Sequence, residues 1–400
     1  MKERGVPIVM YHGVGPDRPG WPWNYLFTPA DVFERQMRAL RDEGWRTISL
    51  SELHAHLVSN APLPPKPVVL TFDDGYADNW VYAFPVLEKY GHRAVVWMSV
   101  DFVDPRREPR PTLADVWAGR LREEALDPRG YLSWVEMRRM AESGLVEVQS
   151  HAMTHTWYPR AGEISDFHRP AGVDDYEPPL WLGWNMFPGR KHESMHVDLS
   201  SLVPYGTPIY ANAKSLAARR WFEDEGLTEK LRAHAAASGG AAFFEEPLWR
   251  EELLEIVRGH GEGRGRLETE SEYRSRVRRE LVESRRIISE ELGAKVDYLC
   301  WPGGGRSPET LRIAEEAGYL ATTTHFEDRA RRNRFGQNPR ELSRIGSGSP
   351  WAWRGRAFKR TGPGFFIANL EIFAGDEKSI WKLRAYKLQY ILRNSFRGER

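Results

Sequence analysis

The stretch Pro67-Val68-Val69-Leu70-Thr71-Phe72-Asp73-Asp74-Gly75 decides how this chain reads. Val68 to Phe72 form a short run of apolar and β-branched residues, the pattern of a strand buried on both faces. That run ends directly in two carboxylates and a glycine. In a parallel α/β sheet the C-terminal strand ends form the rim where active sites assemble. Neighbouring side chains at a strand end point in different directions. Asp73 and Asp74 can therefore divide the work, one holding a metal and the other handling a proton. Asp-Asp-Gly is also a common turn with helix-capping aspartates, so the segment alone leaves both readings open.

Working outward, strand-like runs alternate with helices. Residues 6–11 are an apolar run, and Thr28-Pro29 then offers an N-cap before Phe33, Met37 and Leu40 recur at helical spacing up to Gly44. A strand is expected over 46–50, with Ser51 capping a helix that carries Leu53 and Leu57. Beyond Gly75, a helix through Tyr82, Val86 and Leu87 stops at Gly91, before a strand over 94–100. Ser133 caps a helix carrying Val135, Met137 and Met140. Gly144 ends it, and a strand over 145–148 follows. Later come a charged helix over 271–292, a strand over 296–301, a helix over 308–317 and a strand over 319–324. This alternation predicts a parallel sheet, open or closed into a barrel.

Three further segments follow predicted strands. Ser150-His151-Ala152-Met153-Thr154-His155 places two histidines at i and i+4, on one face if the segment is a helical turn, a spacing suited to a shared divalent ion. Two His and one Asp, with positions left for water, describe a catalytic metal site; a satisfied structural pair is the blander alternative. Tyr11-His12-Gly13 offers a histidine that could act as a general acid or be purely structural. Trp301-Pro302-Gly303-Gly304-Gly305 offers backbone N–H groups that can approach an oxyanion, or a flexible loop.

Composition narrows the classes. The 400 residues carry 57 basic and 56 acidic side chains, a net charge of +1, which argues against a dedicated nucleic-acid binder. The single cysteine, Cys300, permits no internal disulfide and no cysteine-based zinc site; its place on a predicted strand makes it a packing residue. The apolar run 94–100 is far shorter than the roughly 20 residues a membrane span needs. With no signal-like N-terminal segment in view, a cytoplasmic location is the expectation. The 16 tryptophans call for a thick core or an aromatic-lined cleft.

Taken together, Tyr11-His12, Thr71 to Tyr76, Ser150 to His155 and Trp301 to Gly305 resemble the polysaccharide deacetylases of carbohydrate esterase family four, the NodB-homology domain. They are most similar to its poly-β-1,6-N-acetylglucosamine deacetylase branch, in which an N-terminal Tyr-His supplies the acid. Leu145 to His151, Ala314 to Tyr319 and Leu342-Ser343-Arg344-Ile345 read the same way, over 5–156 and 270–350. The resemblance implies an α/β fold, a distorted (β/α) barrel with a large aromatic-rich insertion. It implies that Asp74, His151 and His155 bind a divalent metal, most simply zinc. Asp73 would be the base for a metal-bound water, Gly303 would lend a backbone N–H to the oxyanion, and His12 would protonate the leaving amine. The implied substrate is an N-acetylated amino sugar in a glycan or glycoconjugate. An O-acetyl sugar esterase and a carbohydrate-binding protein that retains the metal site are the alternatives. The third motif departs from the family: Gly303 stands where an aromatic residue is usual, and no arginine precedes Pro302. Asp73 is thereby left without an assigned orienting partner.

The expected division is a first barrel part over 1–156, an insertion over 157–270, a second barrel part over 271–365 and a tail over 366–400. In the insertion, Trp181, Trp184 and Tyr205 are candidates to stack on sugar rings, as a lid or platform; the plain alternative is that the aromatics form the insertion's own core. In the tail, Trp381, Ala385, Leu388, Leu392 and Phe396 make an apolar stripe flanked by Lys382, Arg384, Lys387, Arg393 and Arg397. Such a basic amphipathic helix suits the inner face of an anionic membrane, or packs on its own domain.

Overall fold

The computed structural model describes residues 4–261, 265–324, 332–347, 351–353, 356–358 and 362–395. Phe396 and Arg397 of the tail stripe lie outside the described residues. The chain divides into two compact units, one of 1–151, 284–304 and 318–400, the other of 152–283 and 305–317.

The first unit is built on parallel strands β1 (Ile8–Tyr11), β2 (Arg46–Thr47), β3 (Pro67–Phe72), β4 (Ala94–Met98), β5 (Val146–Ser150), β6 (Tyr298–Leu299), β7 (Ala321–Thr322) and β8 (Ile345–Gly346). Their order is β7-β6-β5-β4-β3-β1-β8, with β2 beside β3. A parallel bridge from Thr323 to Leu342 links the two ends of this row, so the sheet curls on itself as a distorted barrel. Register aligns the strand ends. Tyr11 sits opposite Phe72, and Met98 opposite Ser150. Their chain successors His12, Asp73 and His151 therefore emerge at one rim.

The central strands β3, β4 and β5 are short and largely buried on both faces because helices cover them. These include α1 (Ala30–Asp42), α2 (Leu50–Ser59), α3 (Phe84–Tyr90) and α4 (Trp134–Glu142). Ser133 closes a capping box with Glu136 at the start of α4, and Gly91 ends α3 in the left-handed conformation. Two starts differ from the sequence reading. Ser49, not Ser51, caps α2, because Glu52 stands three residues on and completes the box. Pro29 rather than Thr28 is the N-cap of α1. The expected strand over 296–301 shortens to β6, and that over 319–324 to β7, since only their centres hold ladder positions.

The second unit pairs Trp157–Phe167 antiparallel with Pro208–Lys214, and Trp221–Glu223 with Gly265–Leu267. It has apolar clusters of its own. One gathers Phe167, Leu227, Leu231, Phe243, Phe244 and Trp249; another gathers Tyr176, Leu182, Val203 and Ile209. In chain order the long helix α5 (Glu270–Leu292) precedes β6, and α6 (Pro308–Glu316) follows β6.

Candidate active site

Asp73 follows β3 with its backbone N–H donating to the Tyr11 carbonyl at 2.9 Å. Its buried carboxylate is gripped by Arg344, Nη1 to Oδ1 at 2.6 Å and Nη2 to Oδ2 at 2.9 Å. This two-pronged geometry fixes both charge and orientation. Burial alone would raise the Asp73 pKa, but Arg344, aided by His12, holds it below the ordinary carboxylate value. Asp73 thus stays ionised, as a proton acceptor must. Arg344 belongs to a segment already singled out for its family likeness, but no role was assigned to it there. It is the missing partner of the base, reached from the strand end before β8 instead of from the Trp301 segment. The Cys300 thiol, fully buried, also donates to Asp73 Oδ2 at 3.6 Å.

His12 Nε2 lies 4.0 Å from Asp73 Oδ2. Burial lowers the His12 pKa, opposed by the charges of Asp73 and Asp74. The loop that carries it is pinned by residues the sequence reading did not select. Asn79 Nδ2 donates to the His12 carbonyl at 2.9 Å and to Asp78 Oδ1 at 3.0 Å. Arg18 Nη2 donates to Asp78 Oδ2 at 2.7 Å and to the Pro128 carbonyl at 2.6 Å. Gly13 belongs to this lock, because a Cβ there would come within 2.8 Å of Asp78 and closer still to the Phe27 ring. A buried acid four residues past Asp74 was the available signal.

Asp74 adopts positive φ, 70°, and so does Gly75, where a Cβ would collide with Met98 Sδ at 2.1 Å. The turn separates the two carboxylates: Asp73 is held by Arg344, while Asp74 Oδ1 lies 3.2 Å from His151 Nε2. His151 Nδ1 is 2.8 Å from the Cys300 carbonyl. In the neutral imidazole that bond puts the proton on Nδ1 and makes Nε2, the atom facing Asp74, the donor to a cation. Burial opposes charge on His151, and Cys300 and Asp74 outweigh it, so its pKa stands well above the usual value. The environment favours a positive charge here.

The expected helical turn from His151 to His155 is not formed. Ala152 has φ 59° and His155 φ 37°, left-handed values that break a helix, so the second histidine arrives by an irregular turn. Thr154 steadies that turn, its hydroxyl donating to Glu280 Oε2 at 2.9 Å and its carbonyl accepting from Lys191 Nζ at 2.8 Å. One ligand atom each from Asp74, His151 and His155 lies within 4.8 Å of the others. Donors bound to one zinc at tetrahedral positions would be about 3.3 Å apart. The set, one carboxylate and two imidazoles, fits a divalent ion. A second group, Asp73, His151 and Cys300, is equally compact, but Arg344 already neutralises its carboxylate.

Gly303, on the loop after β6, has φ 54° and is exposed. The three aromatic candidates of the insertion are tied into their own unit. Trp184 is 1% exposed, Trp181 packs on the Tyr176 cluster, and the Tyr205 ring lies 5.9 Å from that of Phe244 and 5.5 Å from that of His168.

Comparison with known proteins finds a family likeness over part of the chain. The polysaccharide deacetylase family profile matches residues 60–168, the span that holds Asp73, Asp74, His151 and His155. The protein YxkH of Bacillus subtilis (strain 168) is 29% identical over 154 residues, covering 38% of this chain and 44% of its own. The poly-β-1,6-N-acetyl-D-glucosamine N-deacetylase of Escherichia coli (strain K12) is 30% identical over 156 residues, covering 39% of this chain and 21% of its own. The chain thus spans less than half the length of these curated relatives. Among solved structures, a de-N-acetylase from Aggregatibacter actinomycetemcomitans shares the fold, with a TM-score of 0.54 at 18% identity over 91% of this chain and 99% of that one.

Proposed function

We propose, from the match of residues 60–168 to the polysaccharide deacetylase family and from the site's geometry, that the chain is a metal-dependent hydrolase removing acetyl groups from N-acetylated amino sugars of a glycan or glycoconjugate. The observation that carries this reading is Asp73, held ionised by Arg344, 4.0 Å from His12 and next in sequence to the Asp74 of the His151 and His155 donor set.

Asp74, His151 and His155 would hold the metal, and two imidazoles with one carboxylate favour zinc. When bound, the ion supplies Lewis acidity, polarising the acetyl carbonyl and acidifying water at neutral pH. Asp73 accepts the proton of the attacking water as the new C–O bond forms at the carbonyl carbon. His12 delivers a proton to the amide nitrogen as the C–N bond breaks, giving acetate and a free amino sugar. Arg344 keeps Asp73 ionised and aimed. Gly303, on the loop after β6 with a left-handed backbone, is the proposed oxyanion donor.

Acetate release from N-acetylglucosamine oligomers and from O-acetylated sugars, measured beside Asp73→Asn, tests the reading. N-linked release that the variant loses supports it. Release from esters alone would replace it with the esterase, and glycan binding without any release with a binding protein. Metal content of Asp74→Ala equal to that of wild type would remove the metal assignment.

A further inference from the structure

The last helix of the first unit, α8 (Ser379–Ser395), packs on α7 (Pro363–Phe373) and has two unlike sides. Ser379 is buried, with its hydroxyl donating to Glu371 Oε2 at 2.6 Å. The Tyr386 ring lies so near α7 that a Cβ on Gly364 would come within 2.5 Å of it, and Lys387 Nζ is 5.8 Å from the Phe365 ring. These residues mark the side that packs on α7, with Ser379 buried, Lys387 half-buried and Tyr386 keeping 40% exposure. About half a turn of the helix away, at i, i+4 and i+7, stand Trp381, Ala385 and Leu388. All three are exposed, Trp381 at 70% and Leu388 at 58%. The sequence continues the stripe to Leu392.

A helix packing only on its own domain would bury this stripe and expose the polar side. Here the domain covers the opposite side. The helix is cationic: the sequence places Lys382, Arg384, Lys387 and Arg393 within 379–395 and no acidic residue there, Lys382 also pairing with Glu371 of α7 at 3.0 Å. Arg384 stacks on the Trp381 ring, its guanidinium carbon 4.8 Å from the centroid, so charge and apolar surface form one patch. A tryptophan and leucine stripe bordered by cations matches the boundary between lipid headgroups and acyl chains.

We propose that this face of α8 docks the protein peripherally on an anionic lipid bilayer, Trp381 and Leu388 entering the interface and the flanking cations meeting acidic headgroups. Charge chooses this occupant over a second copy of the chain, which would set one cationic helix against another. No described helix is long and apolar enough to cross a membrane, so the contact is an in-plane one. The proposal stands apart from the deacetylase reading, because it uses none of the same residues.

Flotation of the full chain with vesicles of phosphatidylcholine alone, or mixed with phosphatidylglycerol, tests it. Wild type is expected to float with the mixed vesicles and weakly or not at all with the neutral ones. Trp381→Ser/Leu388→Ser, both at exposed positions, should lower binding by tenfold or more, and Arg384→Gln by roughly fivefold. Raised salt should weaken what remains. Circular dichroism checks that the variants are folded. Failure of wild type to float, equal flotation of the folded double variant, or a lipid-independent dimer that the double variant abolishes would each overturn the proposal.

Discussion

The two compact units use their unusual residues in opposite ways. In the first, buried parallel strands end in polar groups: β1 in His12, β3 in Asp73, β5 in His151. In the second, Trp249 and Phe244 are buried among apolar neighbours of that unit, and Trp184 is buried as well. The difference teaches what each kind of sequence signal reports. A carboxylate or imidazole placed directly after a buried strand has its position set by the ladder, so the motif carries geometry with it. An abundance of aromatics carries none. It says that volume is being filled somewhere, and a small, loop-rich unit fills its core with large rings.

The sharpest way to break this contrast is at Arg344. If the strand-end site is the chemical one, Arg344→Met leaves a buried carboxylate without its partner. Activity should fall by about 10²–10⁴, the worth of a positioned general base. Stability should fall by about 3–5 kcal/mol, the usual cost of breaking a buried pair. Steady-state kinetics and urea unfolding measure the two losses. A variant that keeps wild-type kcat would show that Asp73 is not the base.

Trp184 tests the other side. As a fully buried core residue, Trp184→Ala should lose about 3–5 kcal/mol of stability, with KM for a glycan little changed in the surviving folded fraction. A stable variant with a sharply raised KM would restore the sugar platform expected from composition.

A third test exploits the lock behind His12. Burial raises the Asp78 carboxyl to about 7, against the pull of Arg18. An acid whose folded pKa exceeds its unfolded one stabilises the protein fully below the unfolded value. That stability is lost as pH rises through the folded value. Between about pH 4 and 7, wild type should therefore lose up to about 4 kcal/mol through this residue. Asp78→Asn, whatever its offset in stability, should flatten that slope. Unfolding curves across the range measure it, and parallel slopes would mean that Asp78 is not the titrating group.

Most of the barrel was legible because its strands are apolar runs and its helices open on capping boxes and close on glycine. The four motif segments were legible because they sit at strand ends. Arg344 was not assigned, since its pairing with Asp73 spans 271 residues of sequence and no local spacing announces it. Asp78 and Asn79 were not assigned because they follow no strand directly and stand beside the louder Asp-Asp-Gly. The turn at His151 to His155 misled for a different reason: i, i+4 spacing is shared by a helical turn and by a loop with two left-handed residues. Spacing alone cannot tell them apart.

That turn gives the smallest predicted effect and the finest test of where the contrast between the units lies. His155 is a candidate ligand, yet its backbone is left-handed and its neighbours Ala152 and Thr154 supply no regular ladder. Such a conformation, costing of order 1–3 kcal/mol, persists only where the surroundings over-determine it. Thr154 provides the handles, with Glu280 on its hydroxyl and Lys191 on its carbonyl. Glu280→Leu and Thr154→Val remove one handle without touching a ligand atom. Supports of this kind commonly carry 10–100-fold in metal affinity. Competition with a zinc chelator, which does not depend on turnover, should show a loss in that range, equal in both single variants and no larger in the double. Additive losses would mean that Glu280 acts on the metal by its own charge, and wild-type affinity in all three would mean that the turn holds itself.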